Sequence, residues 1–167
     1  MKRPYRLILP LLSLFIASGS QAATESSDVR AEIVARAITL VNTRALDFGK
    51  ILPFSTAGYV QITASGSLSA VSAQVTDTSS VASSAWTVTG EQNGRFTISL
   101  PADNTVVLSN LNASTMELTN FSHNAGSAPQ LNSSGSANFN VGARLQVGAS
   151  QEPGLYSGTF NVTVNYL

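Results

Sequence analysis

Gly154-Leu155-Tyr156-Ser157-Gly158-Thr159-Phe160-Asn161-Val162-Thr163-Val164-Asn165-Tyr166-Leu167 decides the fold. Phe160, Val162, Val164 and Tyr166 alternate with Thr159, Asn161, Thr163 and Asn165. A period of two in β-branched and aromatic residues predicts a half-buried strand. Its apolar face must enter a core. Its free edge carries no Lys, Pro or bulge to blunt it, so a further strand is expected to meet it.

Upstream, the same alternation recurs in short runs. Residues 59–64, 68–76, 85–89, 95–100, 106–108 and 116–118 read as strands. Asn138 to Val147 alternates through Phe139, Val141, Ala143, Leu145 and Val147. Asn93-Gly94, between residues 85–89 and 95–100, has the composition of a hairpin turn. Pro153-Gly154 marks the turn into the last strand. Eight or nine strands at this spacing, without a convincing helix, predict an all-β sandwich. Trp86, the only tryptophan, is expected as an anchor between two sheets, with ligand stacking as the alternative.

The first 22 residues read differently. Lys2, Arg3 and Arg6 precede the apolar run from Leu7 to Ala17, and Ser20-Gln21-Ala22 supplies small residues at a cleavage site. This is the pattern of a secretory signal peptide, and the run is short for a bilayer span. The expected product is exported, passing through a periplasm to the cell surface or beyond, with no stable membrane span. Its cysteine-free sequence forms no disulfide. Removing Lys2, Arg3 and Arg6 leaves six basic residues against nine acidic, a net charge of −3. That balance argues against nucleic acid as a partner.

Residues 23–37 form an N-terminal extension ahead of a sandwich domain at 38–167. Val29, Ala31, Ile33, Ala35 and Ala37 alternate with Arg30, Glu32 and Arg36, which is strand periodicity, although the alanine content equally suits a short helix. At Ile38 the phase flips: Ile38, Leu40, Leu46 and Phe48 occupy even positions. A flip separates two independently placed segments or marks a bulge.

Chemistry-bearing constellations are sparse. His123 has no second histidine and no cysteine to complete a zinc site. No Gly-x-Ser-x-Gly elbow and no phosphate loop occurs, and Asp28, Asp47, Asp77 and Asp103 stand apart in sequence. The Asn-x-Ser/Thr triplets at Asn112, Asn120, Asn132 and Asn161 read as chance in a chain rich in these residues. The expectation is a non-enzymatic protein without metal or cofactor.

Two sets of residues carry a resemblance. Tyr166 is second from the end and Gly154 fourteenth, with Phe160, Val162 and Val164 between them. The stretch resembles the last strand of chaperone–usher pilus subunits. Leu46-Asp47-Phe48-Gly49, Val141-Gly142-Ala143-Arg144-Leu145 and residues 158–166 together resemble the exported bacterial family known as domain of unknown function 4402. Leu46-Asp47-Phe48-Gly49 also resembles the spore-coat-U-like subunits of archaic pili, from which this chain departs in having no cysteine. The resemblance implies an immunoglobulin-like sandwich lacking its final strand. A periplasmic chaperone, and later a neighbouring subunit delivered by an usher, would supply that strand by addition to an exposed edge. On this reading Gly154, Phe160, Val162, Val164 and Tyr166 form the acceptor edge. Val29, Ala31, Ile33, Ala35 and Ala37 form the donor. The expected function is a structural subunit of a surface fibre. The alternative is a self-contained sandwich binding a surface glycan through its Ser/Asn-rich loops at 101–105 and 123–136.

Overall fold

A computed structural model describes residues 24–34 and 36–167. The signal-peptide segment and Ala35 of the expected donor lie outside the described residues. Among those residues eleven strands occur and no helix.

The longest strand, β10 (Ser136–Val147), is the axis of the fold. Phe139, Val141, Ala143, Leu145 and Val147 are all buried, as its period of two requires. One edge is divided end to end. Its first half, residues 136–141, pairs antiparallel with β6 (Ser84–Thr89), and its second half, 143–147, with β3 (Gly58–Ile62). The opposite edge takes β9 (Thr115–His123). The outer partners are β1 (Thr39–Arg44) on β6, β4 (Leu68–Val71) on β3 and β8 (Val106–Ser109) on β9. The β10–β9 register shifts between Gly142 and Arg144. Gly142 admits no side chain there, because a Cβ would collide with the Ile62 carbonyl and the Thr63–Ala64 backbone.

Two short sheets pack on this frame. β2 (Lys50–Pro53) pairs with β5 (Ala73–Asp77), and β11 (Thr163–Tyr166) pairs with β7 (Phe96–Ser99). The first brings Ile51 and Val75 onto a core cluster of Val60, Ile62, Leu118, Leu145 and Val147. The second packs Phe96, Ile98, Val164 and Tyr166 on Val88, Leu131, Phe139 and Val141. Phe121 and Phe160 touch both clusters, with ring centroids 5.3 Å apart, and so join them into one β-sandwich core.

The strand count exceeds the expected eight or nine for identifiable reasons. Residues 68–76 split into β4 and β5 at Ser72, which sits at φ 48°. β2 is a strand outside those expected, and β9 runs further than residues 116–118. Only Thr163–Tyr166 of the last stretch is a regular strand. Asn93-Gly94 does not close a hairpin. Asn93 has the positive φ expected (58°), but β6 and β7 do not pair; the loop carries the chain from one sheet to the other. Asn93 alone takes the left-handed backbone, Gly94 does not, and tertiary packing chooses the strands' partners. Residues 24–34 and 36–38 form no strand.

Candidate functional site

Two stretches of chain each have a neighbour on one side. Along the first, β1 pairs with β6, Asp47 exchanges two 3.0 Å backbone bonds with Ala82, and β2 pairs with β5. Along the second, Ser157 exchanges backbone bonds of 3.1 and 3.0 Å with Ser109, and β11 pairs with β7. No second strand pairs with β1, β2 or β11 among the described residues. Between these two edges lies a cleft with two contiguous pockets. The narrow one, about 320 Å³, is bounded by Asn42, Leu46, Trp86, Val106, Thr159 and Phe160. The wide one, about 620 Å³, is bounded by Ile51, Leu52, Met116, Leu145, Leu155 and Tyr156. Leu46, Phe48, Leu108 and Gly158 line both and stand between them.

The main chain contributes as much as the side chains. Successive residues of an extended segment direct their N–H and C=O groups to opposite edges. Ser157 turns its pair to Ser109. Tyr156 and Gly158 therefore turn theirs to the cleft. A wall of this kind is a template for an added strand.

The Leu46-Asp47-Phe48-Gly49 turn builds the opposite wall. The Asp47 Oδ1 accepts the Gly49 N–H at 2.8 Å, an Asx turn. Gly49 has φ 72°, and a Cβ there would lie 2.8 Å from the Val81 Cγ2 and against the Asp77 carbonyl. Glycine is the residue that fits. The turn buries Phe48 beneath the cleft. Gly158 plays the matching part on the facing wall, where a Cβ would lie 2.7 Å from the Val107 carbonyl oxygen.

A polar strap holds the wide pocket's outer rim. Gln151 donates to the Thr115 carbonyl (3.2 Å) and to the Tyr156 hydroxyl (2.8 Å), and that hydroxyl donates to the Glu152 carbonyl (2.8 Å). The Glu152 carboxylate accepts from the Ser114 hydroxyl and the Asn112 amide. Those two bonds, Ser114's first, hold its carboxyl below the usual range. Asp77 is held well below its usual value by the Ser79 hydroxyl and N–H, then by Lys50 at 3.0 Å.

The acceptor residues expected from sequence fall in two places. Gly154 lines the wide pocket, and Phe160 lines the narrow one, 6.1 Å edge-to-face from Trp86. Val162, Val164 and Tyr166 are half-buried in the second core cluster with Ile38 and Leu40, where the two edges come together. Of the expected donor residues, Val29, Ala31, Ile33 and Ala37 are exposed, Val29 and Ile33 at 92% and 97%. Residues 42–53 as a cleft wall were missed. Their signal was the phase flip at Ile38 together with the Leu46–Gly49 turn. Trp86 is half-buried between the sheets, and its face toward the cleft is the part sequence did not place.

Among the described residues no three His, Cys, Asp or Glu side chains group as a metal site, and no helix is long and apolar enough to cross a membrane. What the fold and cleft define, among the described residues, is a β-sandwich with a groove between two strand edges. The chain belongs to the family described as Domain of unknown function (DUF4402), whose model matches residues 38–166, from the approach to β1 through β11, and so includes both walls of the groove. No curated protein and no solved structure matches it.

Proposed function

We propose that the chain is a non-enzymatic structural subunit of a bacterial surface fibre, assembled by β-strand donation. The observation that carries this reading is the cleft. It has apolar floors and main-chain groups of Tyr156 and Gly158 turned into it, between two edges that no further strand covers among the described residues. A periplasmic chaperone strand fills it first, and an extension of a neighbouring subunit replaces that strand after delivery to an usher. The exported state follows from the signal-peptide pattern of the first 22 residues.

The donor is residues 29–37, which precede the part of the chain that the family model matches. Full burial of a Val or Ile side chain contributes about 1.5–3 kcal/mol, and alanine far less. Val29 and Ile33 therefore supply most of the side-chain stabilisation, and the backbone ladder supplies the rest.

The test is assembly of the mature chain, expressed with a matching chaperone, followed by light scattering and electron microscopy. Chaperone complexes that convert to linear polymers support the reading. A mature chain that stays monomeric, with or without the chaperone, overturns it.

A further inference from the structure

Resting on the strand-donation reading, we infer that the cleft takes residues 29–37 of a second copy of this chain in one register and one direction. Ile33 lies opposite Tyr156, Ala31 opposite Gly158 and Val29 opposite Phe160, antiparallel to the 151–160 wall.

The face of the incoming strand is set first. Tyr156 and Phe160 pack inward on the core, and residues directly opposite across a ladder share a face. The donor's apolar face is 29, 31, 33, 35 and 37, whereas 30, 32, 34 and 36 carry Arg, Glu, Val and Arg, three of the four charged. Odd donor positions must therefore oppose even wall positions. The same even positions, Tyr156 and Gly158, turn their main-chain groups to the cleft, so the pairing satisfies hydrogen bonds and burial together.

Size then selects the register. The cleft has two pockets with Gly158 at their junction. On its apolar face the donor has two large residues, Val29 and Ile33, four positions apart with Ala31 midway, and Val34 lies on the opposite face. Tyr156 in the wide pocket and Phe160 in the narrow one are also four positions apart. The larger Ile33 takes the pocket of about 620 Å³, Val29 the one of about 320 Å³, and the small Ala31 crosses between Phe48 and Gly158. This order runs antiparallel to the 151–160 wall, the more stable ladder.

The register disfavours the chain's own segment. It would place Arg36 opposite Pro153. Yet the Arg36 carbonyl accepts the Tyr166 hydroxyl at 2.9 Å, thirteen positions further along. The place Arg36 would take in this register is thus thirteen residues of wall from the one it holds, up to about 40 Å at ~3.3 Å per residue, so filling the cleft from within would break the Tyr166 bond, whereas a strand from another molecule leaves it intact.

The cysteine-free sequence makes the test direct. Glu32→Cys in one mature chain is mixed with Ser157→Cys in another, and Arg30→Cys with Thr159→Cys; all four positions are exposed. In this register both are non-hydrogen-bonded antiparallel pairs with Cα atoms about 4.5 Å apart, within disulfide reach. Under mild oxidation of assembled material, both pairs should give disulfide-linked dimer on a non-reducing gel, and the swapped mixtures (Glu32→Cys with Thr159→Cys, Arg30→Cys with Ser157→Cys) should lose it. Dominant dimer in the swapped mixtures overturns the direction. Assemblies that form without cross-linking in any mixture overturn the register and the occupant, and leave strand donation standing. Failure of the wild-type chain to assemble overturns both.

Discussion

The Tyr166 hydroxyl donates to the Arg36 carbonyl at 2.9 Å and accepts the Glu91 N–H at 2.6 Å, tying β11 to the chain just before β1 and to the loop after β6. A side chain on Gly90 would collide with this hydroxyl, and one on Gly94 would lie 3.0 Å from the ring. The two glycines form the seat of the tyrosine. The contact closes one end of the cleft, where Ile38, Leu40, Val164 and Tyr166 share a core. Beyond it the edges stand apart.

Tyr166→Phe keeps the ring and removes both bonds. The Glu91 N–H and the Arg36 carbonyl lose their partner, at about 0.5–1.5 kcal/mol per bond. A lower urea midpoint with an unchanged m-value is the expected result, and an unchanged midpoint would show that the closed end is held by packing alone.

Phe48→Ala empties the floor beneath both pockets. Truncating a buried phenylalanine costs about 3–5 kcal/mol. Thermal unfolding should shift strongly downward. Gly49→Ala, which changes little volume, should also destabilise, because the left-handed backbone and the Val81 contact both oppose a Cβ.

Ile33→Asp acts on assembly and not on the fold. The residue is 97% exposed, and surface substitutions usually change stability by less than about 0.5 kcal/mol. Circular dichroism and melting should match the unaltered chain, while polymer yield collapses, since an unpaired carboxylate would have to be buried in the wide pocket. Unfolding of the monomer by this change would mean that the segment completes its own sandwich.

Trp86 reports the state of the cleft. It is half-buried and lines the narrow pocket beside Phe160. Filling that pocket removes water from the indole, so assembly should move its emission to shorter wavelength. Ile33→Asp protein held under the same conditions should show no such shift.

Glu152 gives the strap a pH dependence of known sign. Its folded pKa lies below the ordinary glutamate value, because the Ser114 hydroxyl and then the Asn112 amide favour the carboxylate, so its contribution is present above the unfolded value and is lost as pH falls through the folded one. Glu152→Gln should flatten the stability–pH curve in that acid window and leave the curve above pH 6 parallel to the unaltered chain. An unchanged acid limb would show that the strap does not open before the core.

The sequence by itself determined what depends on local periodicity and backbone chemistry. The alternation of Phe139 to Val147 and of Phe160 to Tyr166 follows from a period of two, and burial obeys it. Asn93 and Gly49 take the positive φ that their residue types allow. The tertiary structure decided pairing. Partners are chosen by which apolar faces can share a core, and residues far apart in sequence set that choice. Asn93-Gly94 thus became a crossing between sheets, and Phe160 separated from Val164 and Tyr166, one lining an open pocket and the others sealing a closed end. The facing wall at residues 42–53 likewise exists only because Ala82 and β5 hold it across from Gly158. A strand can be read from its own residues, but a groove belongs to two strands that do not touch.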